Sequence, residues 1–170
     1  MFGDYNPSGK LPITFYKDTT QLADFENYSM KGRTYRFMAD PLFQFGFGLS
    51  YTTFVIGDAK LDKAILHTGD HLQMTIPVSN KGKRSGSETV QVYVKKTNDG
   101  DGPLKTLRAF KKINVPAGAS SNAVIDLPYT AFEFYDAATG KMTVAKGEYE
   151  LMYGNSSAAG DLKSVSVTVK

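Results

Sequence analysis

Prolines at positions 77, 103, 116 and 128 break up the second part of this 170-residue chain, and valine and threonine dominate its best periodic runs. A proline inside a helix removes a hydrogen bond and clashes with the preceding turn, whereas β-branched side chains suit a pleated surface. The runs alternate with a period of two: Leu72, Met74, Ile76 and Val78 share one face, and Val90, Val92 and Val94 repeat the pattern after the turn Asn80-Lys81-Gly82. Further short runs span 54–61, 107–115, 123–127, 132–135, 147–153 and 162–169. About seven or eight strands at this spacing, punctuated by turn residues, predict an all-β chain folded as a two-sheet sandwich.

The composition shifts near Phe54. Of the ten tyrosines and eleven phenylalanines, thirteen lie at or before that residue. The segment is rich in proline and glycine and has no sustained apolar period of 3.6, so it cannot easily close a core of its own. We expect an extended aromatic arm over residues 1–52 that needs another surface for its rings, followed by the sandwich over 53–170. Within the arm, Phe43, Phe45 and Phe47 alternate and meet Gly46 and Gly48. The alternation predicts an extended run, and the glycines predict a close approach to its backbone.

Several functional classes are excluded or weakened. With no cysteine, there is neither a disulfide framework nor thiolate chemistry. No stretch approaches the roughly 20 apolar residues that span a bilayer. Met1 to Tyr5 offers neither a basic leader nor an apolar one, so the start reads as a truncation boundary rather than a secretory signal. The net charge is +3, and the basic pairs Lys83-Arg84, Lys95-Lys96 and Lys111-Lys112 are scattered. They read as solvated strand edges rather than a nucleic-acid surface.

Glycoside hydrolysis with retention needs two carboxyl groups roughly 5 Å apart, one of them held protonated. Asp58, Asp70, Glu88, Glu133 and Asp136 instead sit singly at predicted turns or on strand faces. His67 and His71 have a helix-face spacing suited to a metal, but Thr68-Gly69-Asp70 reads as a turn. The loop Asn98 to Pro103 clusters oxygens yet lacks the glutamate that closes a twelve-residue calcium site. No Gly-x-Ser-x-Gly elbow is present to anchor a serine hydrolase. No cofactor is expected.

The run Pro41-Leu42-Phe43-Gln44-Phe45-Gly46-Phe47-Gly48-Leu49-Ser50-Tyr51-Thr52-Thr53-Phe54, with Asn6 to Phe15 upstream, closely resembles the C-terminal region of family 3 glycoside hydrolases, the β-glucosidase and β-xylosidase group. The likeness continues through Asn80-Lys81-Gly82, Ser85 to Val94, Leu107 to Ile113, Pro116-Ala117-Gly118, Phe132 to Asp136 and Gly147 to Ser157. Gln44 departs from the proline usual in that family, which leaves the linker less rigid. Tyr28 to Phe37 leans toward the β-xylosidase branch.

The resemblance implies a fibronectin type III-like sandwich preceded by the end of an α/β domain, with the chain beginning inside a larger enzyme. It implies that the catalytic carboxylates of the retaining parent lie upstream, since no residue here matches either motif. The expected role is then noncatalytic: bracing the parent's catalytic domains and helping them dimerise. A second reading is a carbohydrate-binding module using aromatics of residues 28–51, with weak polysaccharide contact, and a third is a cell-surface adhesion domain. The candidate interface or sugar-contact residues are Tyr28, Tyr35, Arg36, Phe43, Phe45, Phe47 and Tyr51. The family also suggests a periplasmic or secreted parent, and an isolated arm should fold back on the sandwich or bury its rings against another copy.

Overall fold

The computed structural model describes residues 5–170. The leader reading of Met1 to Asp4 lies outside the described residues, as does the ring of Phe2. From Phe54 onward the chain is an all-β sandwich, as its alternation predicts. In the first sheet β4 (His71–Asn80) is central, with β7 (Ser120–Pro128) along one side and β1 (Phe54–Ile56) and β2 (Lys60–Leu61) in succession along the other. The second sheet has the order β3 (Ile65–Leu66), β11 (Leu162–Val169), β10 (Gly147–Gly154), β5 (Gly86–Lys96) and β6 (Thr106–Val115). All pairings are antiparallel except that of β3 with β11. A small hairpin, β8 (Phe134–Asp136) with β9 (Lys141–Thr143), sits apart and turns at Gly140, whose φ is +66°.

The core is the sum of the inward faces. Leu72, Met74, Ile76 and Val78 of β4 and Ala123, Ile125 and Leu127 of β7 meet Val90, Val92 and Val94 of β5, Tyr149 and Leu151 of β10, and Val167 and Val169 of β11. Each fully buried aliphatic side chain of this kind contributes roughly 1.5–3 kcal/mol of transfer free energy. At the start of β10 the Tyr149 hydroxyl donates to the Ala145 carbonyl at 2.7 Å, four residues upstream. This is the tyrosine corner of immunoglobulin-like sandwiches, and it pins the crossing between the sheets.

Two local departures from the predicted strands have physical causes. The expected strand over 54–61 splits in two because its partner β4 carries Pro77, which has no N–H to offer the ladder. Gly57 bridges the gap by donating to the Pro77 carbonyl at 2.7 Å, and a Cβ at Gly57 would overlap the proline ring. The expected strand over 132–135 begins later, because Tyr129–Phe132 forms a 3₁₀ turn that sinks Phe132 into the core. The predicted turn at Thr68-Gly69-Asp70 forms: Asp70 N–H donates to His67 O, the Asp70 carboxylate accepts from His67 N–H, and Gly69 has φ +84°.

The arm folds back on the sandwich. Residues 11–15 run antiparallel to 42–47 through Leu11 N–H to Phe47 O, Gly46 N–H to Leu11 O, Phe15 N–H to Phe43 O and Leu42 N–H to Phe15 O, each at 2.8–2.9 Å. Between them the chain makes an excursion that contains α1 (Thr34–Phe37), a single helical turn.

Candidate functional site

The covered face of the sandwich is legible in β5. An ordinary half-buried strand alternates, yet Val90 through Val94 are all buried, because the arm lies over the outward residues Gln91 and Tyr93. Gln91 Nε2 donates to the Gly46 and Asn155 carbonyls, and its Oε1 accepts the Tyr93 hydroxyl. Gly46 sits so close to the Gln91 amide that a Cβ would overlap it, and its φ of +79° is the left-handed conformation that favours glycine. Ser157 N–H donates to the Phe45 carbonyl at 2.9 Å, adding a backbone tie from beyond the end of β10. Burial, reinforced by the neighbouring Tyr35, pushes the Tyr93 phenol above its ordinary pKa, so it stays a neutral donor.

Two further polar anchors fix the ends of the arm. Lys10 Nζ lies 2.8 Å from Glu88 Oε1, a pair with side-chain exposures of only 16% and 7%. Thr52, where the arm ends, donates its hydroxyl to Asn80 Oδ1 at 2.6 Å. Asn80 also accepts from Gly82 N–H and donates to the Arg84 and Val115 carbonyls, so its buried amide is fully used.

The turn at Gly46 decides where the alternating phenylalanines go. Phe47 N–H donates to the Gln44 carbonyl at 3.1 Å, which breaks the extended run and sends the three rings to two places. Phe45 stacks on Tyr35 with centroids 4.4 Å apart, and Tyr35 in turn meets Tyr93 edge-on at 5.7 Å. Tyr35 Oη also accepts from Leu107 N–H of β6. Phe43 and Phe47 instead pack together at 5.3 Å and, with Phe15, Leu11, Pro7 and Leu49, line an open apolar groove of about 600 Å³. Arg36 accepts Leu104 N–H on its carbonyl and lays its guanidinium over the neighbouring Phe37 ring at 5.7 Å. Tyr28 and Tyr51 project outward, 88% and 55% exposed, with Phe25 nearby in sequence at 96%. The seven candidates therefore divide among the sandwich contact (Tyr35, Phe45), the open groove (Phe43, Phe47), a second groove (Arg36) and bare surface (Tyr28, Tyr51).

Of the acidic residues considered from sequence, Asp58, Asp70, Glu88 and Asp136 serve local structure. Asp58 pairs with Lys163 at 2.7 Å, and that contact holds its carboxyl below the usual range. Asp70 is lowered by His67 N–H, and Asp136 by the Thr139 hydroxyl and then Ala138 N–H. A general acid needs the opposite shift, upward. Among the described residues no group of three or more His, Asp or Glu side chains is placed to hold a metal ion, and no helix is long and apolar enough to cross a membrane.

Sequence reasoning overlooked the second groove, of about 830 Å³, that lies between α1, the β5–β6 loop and the β8–β9 hairpin. Its residues Arg36 of α1, Thr106 and Arg108 of β6 and Tyr135 of β8 come from three segments far apart in the chain, and no local spacing joins them.

Residues 1–51 match the family model of the glycosyl hydrolase family 3 C-terminal domain, and residues 88–157 match that of the fibronectin type III-like domain. The chain is 50% identical, over 99% of its length, to 19% of a xylan 1,4-β-xylosidase of Xylanibacter ruminicola. It is 39% identical, over its full length, to 24% of a β-xylosidase of Formosa agariphila. Among solved structures it is similar to a β-glucosidase from Erythrobacter marinus, with a TM-score of 0.81, 32% identity, and coverage of 99% of this chain and 22% of that one. The chain thus spans about a fifth to a quarter of the length of the relatives it matches.

Proposed function

Because the chain belongs to the family 3 glycosyl hydrolases, as part of their C-terminal region, we propose that it braces the catalytic part of a β-xyloside- or β-glucoside-cleaving parent and performs no chemistry itself. The observation that carries this is the unbroken match of the chain to one part of enzymes four to five times its length. The named acidic side chains fit the reading, since their shifted carboxyls are held ionised by turns and an ion pair.

We divide the chain into a connector, 1–52, and a sandwich, 53–170; in support, one family match ends at residue 51 and β1 begins at Phe54. The connector is built to face two ways. Tyr35 and Phe45 bind it to the sandwich, while Phe43, Phe47 and Phe15 leave an apolar strip for the preceding part of the parent. In the isolated chain the same strip is the surface through which two copies would associate. The parent's cleavage of terminal xylosides or glucosides is inferred from the relatives' names alone.

The purified chain, incubated with aryl β-xyloside and aryl β-glucoside, is expected to release no aglycone. Turnover that one carboxylate substitution abolishes would refute the noncatalytic role. Light scattering of the same preparation over a concentration series is expected to show dimers that Phe43→Ser with Phe47→Ser removes; a strict monomer would count against the strip as an association surface.

A further inference from the structure

The groove beneath α1 has an unusual floor. Arg36 from the arm and Thr106 and Arg108 from β6 line it, and Arg36 Nε, Arg108 Nε and Thr106 Oγ1 are shielded from solvent without a hydrogen-bond partner. Thr106 is only 8% exposed, so its unpaired hydroxyl carries a real desolvation cost, and such groups call for an explanation. Both guanidiniums line the same groove, close enough for the charge of Arg36 to act on Arg108, and neither has a salt-bridge partner among the described residues.

The backbone places Arg108 there by a specific device. The β5–β6 register pairs Val92 with Ala109 but Tyr93 with Leu107, so Arg108 is the extra residue of a β-bulge. Bulges re-aim a side chain and recur beside functional sites. The guanidinium is then fixed: Nη2 donates to the Glu133 carbonyl, and the group lies over the Phe134 ring at 5.1 Å. Burial first, and then the charge of Arg36, push Arg108 below its ordinary pKa, with the charge of Glu133 opposing the shift.

The lip differs from the floor. Asp99 and Asp101 stand on the β5–β6 loop, and Asp136 has both carboxylate oxygens engaged within its own turn, by Ala138 N–H and the Thr139 hydroxyl. Tyr135 and Met142, cross-strand partners in the β8–β9 hairpin, project at the rim, 68% and 52% exposed. Two guanidiniums with unpartnered Nε groups on the floor, carboxylates of the loop and hairpin at the lip and an aromatic ring beside them suit a ligand that carries its one negative charge deep in the groove and its hydroxyls toward the lip. The cations suit a carboxylate, the acceptors suit hydroxyls, and the ring suits the C–H face of a pyranose.

We propose that this groove binds a carboxylate-bearing sugar, a uronic acid unit of a glycan, with its carboxylate between Arg36 and Arg108 and its ring against Tyr135. The size suits it, since pockets for small ligands run from roughly 300 to 1,000 Å³. The site lies apart from the apolar strip and does not depend on the bracing role.

Isothermal titration of the 170-residue chain tests this with three probes: a glucuronic acid-substituted xylotriose, unsubstituted xylotetraose and sodium acetate. Saturable binding of the acidic oligosaccharide is expected, about tenfold or more tighter than either other probe and weakened by added salt. Tyr135→Ala should weaken it about tenfold without lowering the melting temperature, because that side chain is exposed. Arg36→Gln should erase the preference for the acidic probe, and Tyr28→Ala should change nothing. Absence of saturable binding, equal affinity for xylotetraose or acetate, an unaffected Tyr135→Ala variant, or loss in Tyr28→Ala would each overturn the proposal.

Discussion

Asn80 shows how much one side chain can organise. Its carboxamide accepts from Thr52 and Gly82 and donates to Arg84 and Val115, which joins the end of the connector, the β4–β5 turn and the end of β6 at one buried point. Asn80→Asp preserves the shape but turns two donors into an acceptor facing two carbonyls, in a site 1% exposed. Leaving those groups unsatisfied should cost about 3 kcal/mol or more. Urea denaturation is the measurement, and a loss under about 1 kcal/mol would mean the network contributes little. From sequence, Asn80-Lys81-Gly82 was recognisable as a turn, but nothing in the string announced the reach to Thr52 or Val115.

At the scale of elements, the arm and the sandwich were read with unequal success. Long strands were legible because alternate residues of β4 and β7 are buried and exposed in step with the pleat. The arm carried a similar alternation at Phe43, Phe45 and Phe47, yet the left-handed turn at Gly46 overrode it and separated Phe45 from its neighbours. The expectation of something packed on the glycine backbone holds, and the partner is Gln91 of the same chain. Gly46→Ala meets both an unfavourable φ and the Gln91 amide, and should destabilise arm docking by about 2 kcal/mol. Hydrogen exchange should quicken over residues 11–15 and 42–47 while β4 and β10 keep their protection. Uniform loss across the chain would instead mean that arm and sandwich form one cooperative unit.

For the whole molecule, pH dependence follows from where the charges lie. Asp58, Asp70 and Asp136 titrate below the carboxylate value of 3.8 in the folded state. Their stabilisation is therefore present above 3.8 and lost as pH falls through the lowered folded values. Lys163, beside Asp58, is raised above 10.5, so its share is present below that value and lost as pH rises through the higher folded pKa. A melting temperature that is flat from about pH 5 to 9 and declines below pH 4 is expected, and calorimetry across that range checks it. Substituting Asp58, Asp70 and Asp136 together by Asn should lower the plateau and flatten the acid limb. An unchanged acid limb would place the titrating groups elsewhere.

By itself the sequence determined the all-β class, the six long strands, the turn that follows Pro116 and the one that precedes β4, and the dependence of the aromatic arm on another surface. It did so because the period of the pleat and the backbone demands of proline and glycine are local properties. The tertiary structure decided that Pro77 would split the edge strand, that Tyr35 and Phe45 would seal the arm onto Tyr93 while Phe43 and Phe47 stayed open, and that a bulge would turn Arg108 toward Arg36. Those outcomes depend on contacts between residues far apart in the chain, whose proximity no local pattern encodes.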